Sequence, residues 1–489
     1  MPMRRRNDPE GLRLPIKLDS TSNGEFEPVP LQPQHLQARH LALEQADLNA
    51  RRLRLSRRDF LVSACGAATT LAAMNAAYAA AGKAGGYFAL PPEAPLDQAA
   101  AASAVEGKEF IFDVQGHFVN PTGAWTRRLP EGARPLSGFQ AEGCVAAALP
   151  GPLDRLQCFG PDTFVRDIFL DSDTDLMVLS FVPSTREGEP LTIEEAAATA
   201  AIVERLEGTH RLYLHGRVNP NQPGDLEDME RLASRFRISA WKTYTQWGPD
   251  GRGFWMDDEP GLAMIENARR LGVRNIAIHK GLPFGPRSYE HSTCADIGRV
   301  AKRFPDVNFL IYHSGFVTTR AEGPHDPQRS DGVDGLVNAV LAAGLGKGGN
   351  VYAELGSTWR FLMRDPDSAA HTLGKLLLHL GEDNILWGTD SIWYGSPQDQ
   401  IQAFRTFQIS PAFRERYGYP EITPAIRAKI FGLNALKLYP VPEEVLAVHG
   451  AGDRVAQERQ RYRERPDPAF LTYGPRTRRE FLNLKAWGG

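Results

Sequence analysis

Cysteine is scarce. The 489 residues hold four, Cys65, Cys144, Cys158 and Cys294, and none forms a CxxC pair. This excludes zinc knuckles and a scaffold built on disulfides. Cys144 and Cys158 fall in one expected loop insertion, where they either bridge or stay as buried thiols. An excess of one charge is also missing. Lys+Arg number 56 and Asp+Glu 59, a net of −3, and with no basic patch nothing points to nucleic acid as a partner. Residues 1–79 hold 11 of those cations and 8 of the acids, so the remainder carries −6. No glycine-rich phosphate turn follows any apolar strand, which counts against a doubly wound nucleotide-binding sheet. What is present, 42% hydrophobic and 24% charged residues, suits a globular chain with one barrel-sized domain plus extensions, or two domains.

The N-terminal region reads as an address. Residues 1–50, polar and proline-bearing, are expected as a flexible leader. Ser56-Arg57-Arg58-Asp59-Phe60-Leu61-Val62 then opens an Ala-rich run to Ala81 with no acid between Phe60 and Gly82. A charged start, a modest apolar segment and a small-residue site at Ala77-Tyr78-Ala79 form the layout of an export signal. The paired arginines resemble the bacterial twin-arginine signal. Residues 1–80 are therefore expected to be a leader plus signal peptide, with the twin-arginine export machinery as partner and a periplasmic or otherwise exported location. The run is too rich in alanine for a stable membrane span. Val62-Ser63-Ala64-Cys65 resembles a lipoprotein box but leaves too little apolar length after Arg58.

From residue 108 the chain changes character. Apolar runs at 110–118, 175–182, 211–218, 239–244, 275–279, 308–313, 350–355 and 384–390 alternate with helical patterns at 192–208, 225–236, 260–271, 293–304, 333–345 and 368–380. The first of these helices opens with Thr192 and Glu195 as a capping box. Continuous apolar strands flanked by helices imply a parallel sheet covered on both faces, and eight of them imply a (β/α)8 TIM barrel spanning 108–440. Residues 120–172, rich in Gly and Pro, read as a long insertion after the first strand, over one barrel mouth. Thr423-Pro424 starts a closing helix. Residues 441–489 form a charged extension that wraps the barrel or a neighbouring subunit, which leaves a homo-oligomer open.

Polar residues stand where the strands end. Asp113, Gln115 and His117 alternate in the first run, so the period of two puts them on one face. Lys242, His279, His313, Glu354 and Asp390 close later runs. In a barrel the strand ends converge on one face, where catalytic groups sit. Imidazoles and a carboxylate around one axis suit a divalent metal of the zinc, manganese or iron type. Trp241, Tyr244, Trp247, Trp255, Trp359, Trp393 and Tyr394 crowd the same ends, either lining a pocket for an apolar or aromatic substrate or filling core. His210, His215, His291, His325, His371, His379 and His449 lack the pattern.

The surroundings of His279, His313 and Asp390, with the closing run Ile430 to Tyr439, resemble the amidohydrolase superfamily. The similarity is to the amidohydrolase-related branch that includes aminocarboxymuconate-semialdehyde decarboxylase, over about residues 109–440. That resemblance implies His117, His279 and Asp390 as ligands of one metal, and His313 as the acid/base or water-orienting group. One position departs from the pattern: Gln115 stands where the first histidine of His-x-His is expected. A neutral amide is a weaker donor, so its oxygen, a water or Asp113 would complete the shell. Lys242 reads as a contact to an anionic substrate group, or as one end of a salt bridge, and Trp393 as a substrate contact.

Three activities fit. The first is a hydrolase, with metal-activated water attacking an ester, lactone or amide, Asp390 taking the proton and His313 steadying the oxyanion. The second is a non-oxidative decarboxylase of an aromatic or unsaturated acid, where His313 or Asp390 protonates carbon. The third is a barrel that has lost its metal and binds without catalysis, a reading that rests on Gln115.

Overall fold

A computed structural model describes residues 7–128, 154–208, 210–283, 289–448 and 452–487. Eight apolar runs become the staves of one parallel sheet: β2 (Phe112–Gly116), β3 (Leu176–Leu179), β4 (Leu212–Arg217), β5 (Ile238–Tyr244), β6 (Asn275–His279), β7 (Asn308–Tyr312), β8 (Val351–Glu354) and β9 (Ile385–Leu386). A short β1 (Gly86–Phe88) pairs antiparallel with β10 (Phe407–Ile409) outside it. The barrel closes where β9 runs out: Val114 N donates to Trp387 O, Asp390 N to Gln115 O and His117 N to Ser391 O, the last at 2.5 Å. The structure is thus the expected (β/α)8 barrel.

Inside the staves, Phe112, Val114, Ala240, Ala277, Leu310, Tyr312 and Leu386 form one buried cluster, while Ile276, Ile278, Phe309 and Ile311 face the surrounding helices. Strands buried on both faces explain why their sequences run apolar without alternation. The helices begin as their sequences predict. Thr192 accepts from Glu195 N while the Glu195 side chain accepts from Thr192 N, and Thr423 caps the closing helix at Ile426 N.

The expectation of a flexible leader is corrected. Residues 10–32 run over the barrel as an extended arm, with Ile16, Leu18 and Phe26 buried. The arm is followed by helices α1 (Pro33–Leu53), α2 (Arg57–Val62), α3 (Ala64–Ala80) and α4 (Gln98–Val105). Alanine on α1 and α3 lets the two backbones approach: Ala38, Ala42, Ala46, Ala67, Ala68 and Ala77 are all fully or almost fully buried. The same alanine-rich composition that reads as a signal thus also makes a close helix pair. Arg58 is buried, its guanidinium over the Phe470 ring at 4.9 Å and donating to Pro468 O and Asp467. The described part of the C-terminal extension, 441–448 and 452–487, also packs on the barrel, through a fully buried Arg211–Asp453 pair at 2.7 and 2.8 Å and through Tyr473 N, which donates to Trp393 O.

Cys65 and Cys294 are buried free thiols. Cys144 lies outside the described residues, as does much of the expected insertion. No helix among the described residues is long and apolar enough to cross a membrane.

Candidate active site

The carboxyl ends of the staves carry Gln115, His117, Lys242, His279, His313, Glu354 and Asp390, all buried. The first strand does so by breaking its own period. A bulge between Asp113 and Gly116 shifts the register against β3. Asp113 therefore turns away from the mouth, accepting from Gln115 N, Thr389 N and Thr389 Oγ1. Its expected place beside Gln115 and His117 is corrected: it ties β2 to the β9 loop, and burial pushes its carboxyl up to about 7.

Asp390 is the hub of one group. Its φ of +56° is left-handed, a conformation that Asp and Asn tolerate better than most residues. Oδ1 accepts from Gln115 Nε2 at 3.0 Å and lies 3.1 Å from His117 Nε2. Oδ2 accepts from Ser357 Oγ at 2.5 Å and Asn23 Nδ2 at 2.7 Å. Burial alone would raise its pKa, but His117, His313 and the Ser357 hydroxyl outweigh it and hold Asp390 below the usual carboxylate range. Gln115 thus presents its nitrogen to Asp390, while its oxygen finds no partner among the described residues. His117 donates from Nδ1 to Ser180 O at 3.1 Å. Its Nε2 contact with Asp390 is then attractive only when that nitrogen also carries a proton or a cation lies between them.

His279 and His313 form the second group. His313 Nδ1 donates to Gly356 O at 2.7 Å, so its Nε2 holds the lone pair and faces His279 Nδ1 at 3.2 Å. Burial lowers both rings, His279 well below its ordinary value and His313 to about 4, which keeps them neutral, the form that binds metal. Glu354, buried at the end of β8, accepts from His313 N at 3.0 Å and Gly356 N at 2.6 Å. It positions His313 just after β7, where φ is +65°. A Cβ at Gly388 would lie 1.6 Å from Glu354 Oε1, so only glycine admits that carboxylate.

The expected substrate contacts divide. Lys242 is fully buried, with Nζ 3.8 Å from the Tyr312 ring centroid and no hydrogen-bond partner among the described residues; the salt-bridge alternative does not form there. Burial lowers it to about 7 against the pull of Glu25, Glu354 and Asp390. Tyr244 stacks on His279 at 4.8 Å, Trp393 lies 6.2 Å from His117, and Tyr394 Oη meets Ser357 Oγ at 2.6 Å. Trp241 and Trp359 instead fill core outside the staves.

Sequence reading missed Asn23, Glu25 and Ser357. The arm carries two of them to the mouth. Glu25 Oε1 is 3.4 Å from His279 Nδ1, and Oε2 is 3.7 Å from His313 Nε2. No strand pattern marks residues 23–25; the one available signal was a Ser-Asn-Gly-Glu turn in a region read as disordered.

Buried neutral imidazoles set beside carboxylates are a donor set that fits a divalent cation. The fold and this set fit the barrel enzymes that use divalent metals. The chain belongs to the amidohydrolase family, whose sequence profile matches residues 112–441. No curated protein matches it. Among solved structures, 5-carboxyvanillate decarboxylase from Sphingomonas paucimobilis is 15% identical, over 68% of this chain and 100% of that one, with a TM-score of 0.41. An uncharacterised TIM-barrel protein from Bordetella bronchiseptica is 15% identical, over 70% and 99%, at 0.42. The 5-carboxyvanillate decarboxylase from Novosphingobium aromaticivorans, complexed with manganese, is 12% identical, over 69% and 97%, at 0.39.

Proposed function

We propose that the protein is a metal-dependent hydrolase of a small apolar or aromatic ester, lactone or amide that carries an acidic group. The observation that carries this reading is Asp390, a buried carboxylate held below the usual carboxylate range and linked through Asn23 to the Glu25 that meets the His279–His313 pair. A divalent cation held where His279 and His313 converge would supply Lewis acidity, lowering the pKa of a coordinated water from about 15.7 towards about 7. Asp390 is the proton acceptor. Its lowered pKa means that it passes the proton on readily, and His117, whose Nε2 lies 3.1 Å from Oδ1, is the neighbour placed to take it when that nitrogen holds a lone pair. Ser357 and Gln115 hold the carboxylate plane in place. Lys242 is the anchor for the substrate's acid group, since its buried amine has no hydrogen-bonding partner among the described residues. Tyr244 and Trp393 supply apolar walls, and the burial of the site's polar side chains keeps bulk water from them.

Lys242 also supports a second reading, non-oxidative decarboxylation of an aromatic acid, because a buried cation is a receptor for the carboxylate that would be lost. The two separate in one experiment. Candidate esters, lactones and aromatic acids are turned over in ¹⁸O-labelled water. Label entering an acid product identifies hydrolysis, whereas carbon dioxide released without label uptake identifies the decarboxylase and rejects the first reading.

A further inference from the structure

The carboxylate that meets the two histidines comes from outside the barrel. Glu25 Oε1 to His279 Nδ1 is 3.4 Å, Glu25 Oε2 to His313 Nε2 is 3.7 Å, and the two ring nitrogens are 3.2 Å apart. All three groups have a donor atom within 4.8 Å of the others. Ligands at about 2.0–2.2 Å from a tetrahedral zinc lie roughly 3.3–3.6 Å from one another. The observed separations are those of three donors around a shared ion. His313 Nδ1 is committed to Gly356 O, so its free lone pair points into this triangle. The β2 position where the resemblance expects a histidine ligand carries Gln115 instead, with its nitrogen spent on Asp390.

We propose that Glu25 is a metal ligand, completing a Glu25–His279–His313 set and supplying the strong donor that Gln115 does not provide. The proposal rests on the metalloenzyme reading above. It makes the N-terminal arm part of the active site, and the arm is built to hold Glu25 there. Asn23 Nδ2 bridges Glu25 Oε2 at 2.6 Å and Asp390 Oδ2 at 2.7 Å, and Glu25 N donates to Asn23 Oδ1 at 2.9 Å. On either side of the turn, Lys17 pairs with Asp399 at 3.2 Å, Asp19 accepts from Arg360 at 2.9 Å, and Phe26 packs on Phe361 at 4.7 Å. The finished enzyme must therefore retain residue 25, and cleavage after Ala79 would remove it.

The test compares zinc or cobalt binding by the full-length wild type and Glu25→Gln, with folding of the metal-free proteins checked by circular dichroism. The wild type is expected to bind one equivalent, and Glu25→Gln to bind at least ~10-fold more weakly, the lower end of what losing a metal-site partner costs. Glu25→Asp should recover part of the loss. Equal affinity in wild type and Glu25→Gln overturns the proposal and leaves the metalloenzyme standing; a wild type that binds no metal overturns both. A second measurement needs no variant: added zinc should slow hydrogen exchange of residues 19–27 in the wild type, and unchanged exchange there overturns the proposal. Intact mass of the protein from its native host gives a third. A chain that includes residue 25 supports the proposal, and a chain starting at residue 80 overturns it.

Discussion

Asp390→Asn isolates charge from shape. Asn is the residue best suited to the left-handed φ of +56° at this position, so the backbone is not strained by the change. The electrostatics are. The carboxylate meets two groups on Oδ1, Gln115 and His117, and two donors on Oδ2, Asn23 and Ser357. An amide accepts on one side only. Its better orientation keeps its oxygen towards Gln115 and His117 and sets its nitrogen against Asn23, while the Ser357 hydroxyl can turn round to accept. One buried donor is then stranded, at about 1–3 kcal/mol, and two charge-assisted bonds fall to neutral strength, at about 1 kcal/mol each. The total comes to ~4 kcal/mol. With an unfolding entropy of about 2.1 cal/mol/K per residue over 489 residues, about 1 kcal/mol/K in all, the metal-free protein should melt ~4 °C lower. Loss of the proton acceptor should lower kcat by about 10²–10⁴-fold. Calorimetry and steady-state kinetics read both. A melting point within 1 °C of wild type, together with activity within tenfold, would refute the reasoning.

Gly388→Ala should cost more than its size suggests, because the new methyl occupies the place of Glu354 Oε1, 1.6 Å away; displaced Glu354 releases His313 N, and activity should fall at least ~10-fold with a loss of about 1–3 kcal/mol from overpacking. Arg58→Lys should lose about 2 kcal/mol by denaturant unfolding, since lysine cannot reproduce both the stack on Phe470 and the bonds to Pro468 and Asp467; unchanged stability would refute this structural role. Docking of α1 should depend on pH through His35. Its Nε2 donates to Arg364 O at 2.9 Å, its Nδ1 accepts from Gln32 N at 3.0 Å, and burial lowers its pKa. A folded pKa below the unfolded 6.5 means that the stabilisation is complete above pH ~6.5 and lost as pH falls below it. Hydrogen exchange over 33–53, corrected for intrinsic rates, should be faster at pH 5.5 than at 7.5 in the wild type and show no such change in His35→Gln.

The barrel was legible because its signals are local. Apolar runs such as 275–279 and 308–313 can only be strands buried on both faces, and Thr192 with Glu195 or Thr423 with Pro424 fix helix starts through bonds spanning three residues. His117, His279, His313 and Asp390 followed from strand ends alone, since a closed barrel sends all of those ends to one rim. Tertiary structure decided what period and composition leave open. The bulge between Asp113 and Gly116 overrode strict alternation and removed Asp113 from the mouth. The alanine-rich run to Ala81, which composition alone assigns to an address, found a partner in α1 with small residues on its facing side. Glu25 reached the histidines across some 250 residues of sequence, through an arm held by Arg360, Asp399 and Phe361. No short-range pattern encodes that placement, because the surface that orders the arm exists only after the barrel has closed.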